Sequence, residues 1–271
     1  MSERRASGAA GPTRVCVLGP SGRMGRAVLD AARAQGDVRI ASAVDQPDAP
    51  GLGALIAGEV RSTADLDAGF AACDVYIDFT APSGTRLAAE TAVRHQRAAV
   101  IGTTGLSADD SAAIARLAAV APVVVSANFS LGVNLVLGLV KQAARALGPD
   151  WDAEVVEAHH RAKRDAPSGT ALQIARAIAA GHGVDYDQVK RHARDGEIGP
   201  RPRGEIGVSS VRGGDVVGEH TAYFFGAAER IEISHRATSR AIFAVGALRA
   251  ATWVTSQPPG RYDMLDVLGL Q

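Results

Sequence analysis

Cysteine is scarce in this 271-residue chain: Cys16 lies in an apolar run, Cys73 in an unrelated segment, and there is no other. Without a CxxC spacing or a secretory context, the pair excludes a disulfide framework and fits reduced thiols in the cytoplasm. Net charge is lacking too. Lys and Arg number 29 and Asp and Glu 29, so there is no global electrostatic case for nucleic acid or an anionic membrane as partner, and any charged ligand must be caught locally. No apolar run is long enough to cross a bilayer. The opening MSERRASGAAGP has charge and small residues but no apolar centre, which reads as a disordered tail over residues 1–12 rather than a signal sequence. No internal repeat or low-complexity segment follows it.

What the chain does have is 46% apolar residues and a mean hydropathy of +0.04, enough for one large domain or two modest ones with proper cores. TRVCVLG from Thr13 is short and valine-rich, as suits a strand buried on both faces of a parallel sheet. GRMGRAVLDAARAQG, ending at Gly36, reads as a helix closed by a glycine, and VRIASAVD as a second strand. DVYIDFT, AAVIGTT and PVVVSANFS continue as strands, with helices from about Ser83 and over SADDSAAIARLAAV between them. This alternation predicts an α/β fold, a doubly wound, mostly parallel Rossmann-like sheet through about Ser130.

The texture then changes. A helical run, LGVNLVLGLVKQAARALG, precedes the alternating WDAEVVEAHH, a loop, and a helix over about Ser168 to Ala180. Residues 181–204 carry no period and read as loop. Between Glu205 and Ser234, alternating segments broken by RGGD predict a hairpin and further antiparallel strands. A second α+β domain with a mixed or antiparallel sheet follows from this, and SRAIFAVGALRAATWVTSQ reads as a helix apolar enough to pack back onto a core.

GPSGRMG, Gly19 to Gly25, sits between the first strand and its helix. Glycines there let backbone amides approach a pyrophosphate, and a helix N-terminus favours the negative charge. The GxxGxxG spacing alone is only moderately specific, and glycines that merely turn a corner are the bland alternative. Asp45 follows twenty residues after Gly25 at the end of the second strand, where an acid accepts the adenosine ribose hydroxyls and repels the 2′-phosphate of NADPH. Gln46 behind it offers no cationic counterweight, though Arg23 or Arg26 could, so good use of NADH is expected and the preference over NADPH stays open. Two further loops after strands, GTTG from Gly102 and SANFS from Ser126, offer small residues and amides beside the expected nicotinamide position.

EAHHRAKRDAPSGTAL, Glu157 to Leu172, concentrates cations: His159, His160, Arg161, Lys163 and Arg164 against Asp165. Adjacent histidines on a strand point to opposite faces. Pro167 and then Ser168 as N-cap predict a helix start at which Gly169 and Thr170 can hold an anion, while a lysine or histidine supplies a proton. The bland alternative is a solvated basic loop. A metal site is not expected, because HHxxK has no third ligand at useful spacing and HExxH is absent. His95, His182, His192, His220 and His235 read as solvent-facing or satisfied in the core.

With EAHHRAKRDAPSGTA as its most specific element, supported by GPSGRMGR, DFTAPSGT, GTTG, SANFSLGVN and RGGDVVGEHTAYF, the chain from Arg14 onward resembles the 4-hydroxy-tetrahydrodipicolinate reductase (dihydrodipicolinate reductase) family. The resemblance implies an NAD(P)H-dependent oxidoreductase of lysine and diaminopimelate biosynthesis. It passes hydride to C4 of a bound cyclic imine dicarboxylate, after loss of water from the 4-hydroxy precursor, to give tetrahydrodipicolinate. His159 and Lys163 are then the catalytic residues, without a decision on which delivers the proton. His160, Gly169 and Thr170 bind the substrate carboxylates. Gly19, Pro20, Ser21, Gly22, Arg23, Met24, Asp45, Gly102, Thr103, Thr104, Ser126, Ala127, Asn128 and Phe129 contact the cofactor. The implied domains are residues 13–130 plus 240–271 for dinucleotide binding and 131–239 for substrate binding and oligomerisation, in a homotetramer whose second domains join their sheets. Many relatives carry arginine where this chain has Gln46. A sister reductase such as a homoserine dehydrogenase should lack the HHxxK segment, and an NAD(H) sensor should lack a proton donor in the second domain.

Overall fold

The computed structural model describes residues 11–58 and 60–270; most of the tail read over residues 1–12 lies outside them. Strand β1 (Thr13–Leu18) has four consecutive buried residues, Val15 to Leu18, as a strand flanked on both sides and covered on both faces must. After it come α1 (Arg23–Arg33), β2 (Val38–Val44), β3 (Leu55–Ala57), β4 (Val60–Thr63), α2 (Leu66–Ala71), β5 (Val75–Asp78), α3 (Pro82–His95), β6 (Ala98–Ile101), α4 (Ala108–Ala118) and β7 (Pro122–Val125). Local chemistry fixes several of these boundaries. Pro82 stands at the start of α3 and a Ser107–Asp110 capping box opens α4, each satisfying or omitting amides that a helix start leaves unpaired.

The second half supplies α5 (Leu131–Leu147), β8 (Asp152–His159), α6 (Gly169–His182), α7 (Tyr186–Val189), β9 (Lys190–Arg191), β10 (Ile206–Arg212), β11 (Gly218–Phe225) and β12 (Arg230–Ala237), followed by α8 (Ala241–Val254), β13 (Gly260–Tyr262) and α9 (Met264–Leu268). The chain divides into two compact units, residues 1–129 with 243–267 and residues 130–242 with 268–271.

In the first unit the sheet runs β13-β7-β6-β5-β1-β2-β4-β3, parallel except for β3 against β4. The chain goes from β1 to β2 and β4 on one side and then crosses to β5 on the other, so the topological switch point lies between β1 and β5, where open α/β sheets collect ligands. One face is closed by a cluster that includes Phe70, Tyr76, Ile101, Ile114 and Leu117, with Phe70 stacked on Tyr76 at 4.8 Å.

In the second unit the sheet runs β12-β11-β8-β10-β9, a mixed sheet with β10 parallel to β8 and β11 antiparallel to it. The hairpin expected at RGGD does not form, because β8 lies between β10 and β11. The glycines serve a crossing over the end of β8 instead. The Gly213 amide donates to the His159 carbonyl at 3.0 Å, the Arg161 amide to Gly214 at 3.2 Å and the His160 amide to Val216 at 2.7 Å. The antiparallel pair formed by consecutive strands is β11 with β12. Residues 181–204, expected as loop, include the end of α6, α7 and β9. The remainder is pinned by arginines rather than by periodicity: Arg194 donates twice to Glu154 at 2.9 Å, and Arg201 reaches Asp152, Glu154 and the Ala153 carbonyl. Helices α5 and α6 cover one face of the sheet through Val140, Ile174, Ile178, Val155, Val208 and Phe224.

Candidate active site

At the carboxyl end of β1, Gly19 turns with φ +64°, a conformation that favours glycine. Its amide bonds the Val44 carbonyl at 2.8 Å, which ties the turn to β2. A Cβ on Gly25 would strike the Gly19 carbonyl and Pro20 backbone, so that glycine sets how closely α1 packs on the turn. Helix α1 starts after Gly22 with no side-chain cap and no acid in its first turn, which leaves the positive end of its dipole for an anion. Asp45 accepts the Ser21 amide at 3.0 Å and the Ser21 hydroxyl at 2.5 Å on one oxygen, and the Gln46 amide at 2.9 Å on the other. A carboxylate has about four acceptor positions, so capacity remains for a ribose hydroxyl. A cavity of about 350 Å³ opens beside Asp45 and Ser21, with Arg26 and Arg33 in its wall. These residues fit a dinucleotide: a bare turn, an uncapped helix start, and an acid on a cavity.

The other two loops end neighbouring strands. Gly102 donates to the Asp78 carbonyl at 2.8 Å and has no room for a Cβ against the Phe79 ring. Thr103 is buried and accepts the Thr85 hydroxyl at 2.8 Å. Ser126 bonds the Ile101 carbonyl through its amide and the Asn128 carbonyl through its hydroxyl. The Phe129 ring is buried edge-on to Phe79 at 5.4 Å, so the backbone of Phe129, not its ring, is what this loop can offer a ligand. The Gly19 turn, Asp45 and both loops all follow carboxyl ends of strands of one parallel sheet.

In the second unit, Glu157 and His159 lie two apart on β8 and so share a face. Glu157 is fully buried. It accepts Arg212 at 2.8 Å on each oxygen, the Ser168 amide at 3.1 Å, and pairs with His159 Nδ1 at 2.5 Å. Burial alone would raise its carboxyl, but the bonds from Arg212, Ser210 and His159 outweigh that and hold it down at about 2. Burial pushes the His159 imidazole below its ordinary value against the pull of Glu157. Lys163 folds back so that its amide meets the His160 carbonyl, and its ammonium straddles Asp165 at 2.8 Å to both oxygens; that bond holds the Asp165 carboxyl below the usual range. Arg212 also donates to the Asp165 carbonyl at 2.8 Å. Ser168 caps α6 through Ala171 and meets His220 Nε2 at 3.0 Å, and the side of Gly169 where a Cβ would stand is open. His160 is half-buried at the end of β8. One bonded network therefore joins His159, the Lys163 turn and the start of α6.

The model of the dihydrodipicolinate reductase N-terminus matches residues 13–129, and that of the dihydrodipicolinate reductase C-terminus matches residues 132–268. The chain belongs to the dihydrodipicolinate reductase family. A 4-hydroxy-tetrahydrodipicolinate reductase from Cereibacter sphaeroides is 49% identical over 263 residues, covering 94% of this chain and 98% of that one. One from Geobacter sulfurreducens is 44% identical over 266 residues, 96% of this chain and 100% of the other. Among solved structures, a dihydrodipicolinate reductase from Paenisporosarcina sp. TG-14 with dipicolinate bound superposes with a TM-score of 0.79 at 25% identity, over 94% of this chain and 98% of that one.

Within this reductase the sequence reading passed over Glu157 and Arg212, and took His220 as a satisfied or exposed histidine. The signal for Glu157 was present: an acid two residues before a histidine on an alternating strand must stand beside it. Arg212 had no such signal, because its approach depends on β10 pairing with β8 rather than with β11.

Proposed function

We propose that this chain reduces 4-hydroxy-tetrahydrodipicolinate, by way of its dehydrated cyclic imine, to tetrahydrodipicolinate in lysine and diaminopimelate biosynthesis. The observation that carries the reading is the network around Glu157, which joins an imidazole, a lysine turn and a helix start into one cationic cluster. A small dicarboxylate needs such a cluster, with backbone N–H groups for its oxygens and a proton source beside its ring.

The reductant is a nicotinamide dinucleotide, which supplies hydride when bound. Gly19, Pro20, Ser21, Gly22, Arg23 and Met24 hold its pyrophosphate end, Asp45 its ribose, and Gly102 to Thr104 with Ser126 to Phe129 its nicotinamide end. NADH is used well because Asp45 suits two ribose hydroxyls and Gln46 brings no cation. Arg26, in the wall of the cavity beside Asp45, supplies a cation for some NADPH use. His160, Gly169 and Thr170 hold the substrate carboxylates, and Lys163 and His159 handle the proton.

Residues 13–130 with 240–271 make the cofactor domain and residues 131–239 the substrate and oligomerisation domain, a reading that the two compact units support. The assembly is a homotetramer, supported by the second sheet. Helices cover one of its faces, while Val156, Val211, Tyr223 and Phe225 are half-buried or exposed on the other. The cytoplasm is the setting, and the unbridged Cys16 and Cys73 fit it.

The deciding assay follows NADH and NADPH oxidation by ultraviolet absorbance, with substrate generated in place from pyruvate and aspartate semialdehyde by the preceding synthase. Oxidation that requires both proteins is expected, faster with NADH. Bound NADH with no oxidation under those conditions would return the chain to a sensor or a sister reductase.

A further inference from the structure

His159 has a partner whose position the reaction itself does not require. On β8, Glu157 is fully buried and none of its bonding is to solvent: Arg212 takes both oxygens and the Ser168 amide takes one. Ser210 adds another bond, and the contact that remains is His159 Nδ1 at 2.5 Å. A carboxylate so paired is ionised and can only accept, so the ring nitrogen facing it must carry the hydrogen. In a neutral imidazole that leaves Nε2 bare.

We propose that Glu157 is a positioning residue for this reductase: its carboxylate, clamped by Arg212, fixes His159 as the Nδ1–H tautomer and presents Nε2 as the nitrogen that takes up a proton. The inference rests on the functional reading above and deepens it. It separates the two proton-handling groups, since Lys163 carries ammonium hydrogens to give while resting His159 has a lone pair to fill. Lys163 then gives the substrate carbon the proton that accompanies hydride transfer, while His159 Nε2 takes the carbon-bound proton released as the 4-hydroxyl departs and hands it to that hydroxide as water; a protonated His159 is stabilised meanwhile by the carboxylate behind it.

The surroundings are consistent with a held ring. Gly218, at the start of β11, has no Cβ, and one placed there would stand 3.0 Å from His159 Nε2. His220, also on β11, meets the His159 ring edge-on at 5.1 Å. The charged and titratable groups facing His159 are thus Glu157 on its own strand, Arg212 on β10, Lys163 in the turn and His220 on β11. Glu157 is the one anion among them, so its removal leaves the ring among cations.

Nitrogen-15 NMR of the histidine rings in the wild-type enzyme tests the tautomer directly: a protonated Nδ1 and a bare Nε2 are expected for His159, and a ring protonated at Nε2 would overturn the proposal whatever the variants do. Glu157→Gln keeps the shape and removes the charge. It should lower the His159 titration point by about one pH unit or more and move the acid limb of the kcat/KM profile with it. It should also lower kcat at least tenfold, a part of the ~10²–10⁴ that acid–base catalysis contributes in full. In a His159→Gln background the same change should alter kcat less than about twofold, because residues acting through one another are not additive. Equal losses in both backgrounds, with the pH limb unmoved, would make Glu157 a structural staple only. Should Glu157→Gln not fold, Glu157→Asp retains the charge and is expected to keep the wild-type pH limb at reduced kcat. Wild type that binds NADH yet reduces no substrate would fail the functional reading separately, with the ring spectrum still deciding the tautomer.

Discussion

Lys163 is bound at both carboxylate oxygens of Asp165, so its ammonium is aimed by a residue two positions away. A group of this kind acts mainly in the transition state. Lys163→Ala is expected to lower kcat by a factor of ~10² or more while leaving the NADH dissociation constant, read by fluorescence titration, within a factor of two. Unchanged turnover would remove Lys163 from the chemistry. Asp45 works differently. Its three bonds in the turn leave acceptor capacity for a ribose hydroxyl, so Asp45→Ala should weaken NADH and raise NADPH use relative to it, and an unaltered ratio of the two rates would place the acid off the ribose. The residues that sequence patterns exposed were those in the dense basic segment and the glycine turn, where residue type and spacing carry the chemistry. His220, read as exposed or satisfied in the core, is buried, and what the sequence did not show was its partner. Its ring meets a serine 52 positions earlier, a meeting that only the β8–β11 register creates.

That burial also has a consequence for stability. Burial first, and repulsion from His159 second, hold the His220 imidazole down at about 4, against an ordinary value of 6.5. A folded-state value below the unfolded one means the unfolded chain takes the proton first. The stability is therefore whole above pH 6.5 and is lost as pH falls from 6.5 through 4. The loss is on the order of 3 kcal/mol for a shift of this size. Urea unfolding of wild type and His220→Asn at pH 7 and pH 4 should show wild type losing more than the variant by roughly 3 kcal/mol; equal losses would show that His220 does not titrate in this range.

At the scale of elements, the junction of β8 with α6 sets the candidate substrate site. Ser168 caps Ala171 at 3.1 Å and meets His220 at 3.0 Å, while its amide is held by Glu157. Ser168→Ala deletes the hydroxyl and keeps the amide, and is expected to cost about 1–2 kcal/mol, read as a lower urea midpoint at pH 7. A change below a few tenths of a kcal/mol would mean the cap is replaced by water. The elements legible from sequence were those whose core face shows a period: the parallel strands with their apolar runs, β8 with its alternation, and the capped helices. Within the stretch 181–204 read as loop, residues 192–204 carry no helix or strand, but what orders them was not legible: arginine pairs to Glu154 and Glu205 hold the segment, and an ion pair leaves no periodic trace. RGGD was legible as a turn but not as a crossing, since glycine fixes local backbone shape and says nothing about which strand lies alongside.

At the scale of the whole molecule, the second sheet has one face buried under α5 and α6, and its other face carries a small apolar centre. On β8, Val156 is flanked by Ser209 on β10 and Thr221 on β11, with Val211, Tyr223 and Phe225 nearby on the same side and ion pairs from Glu154 and Glu232 around it. An apolar centre with a charged rim is the pattern of a protein interface, and a twofold assembly would set each such patch against its copy. Val156→Asp then places a carboxylate opposite its own image. Burying an unpaired charge costs several kcal/mol, and the inward-facing Val155 and Phe224 are untouched. Light scattering should show wild type at about four times the 27.9 kDa of one chain and the variant at a lower mass, with the circular dichroism of the wild type preserved. A variant that keeps the wild-type mass would show that this face is not where the copies meet, and the apolar centre would then need another explanation than assembly.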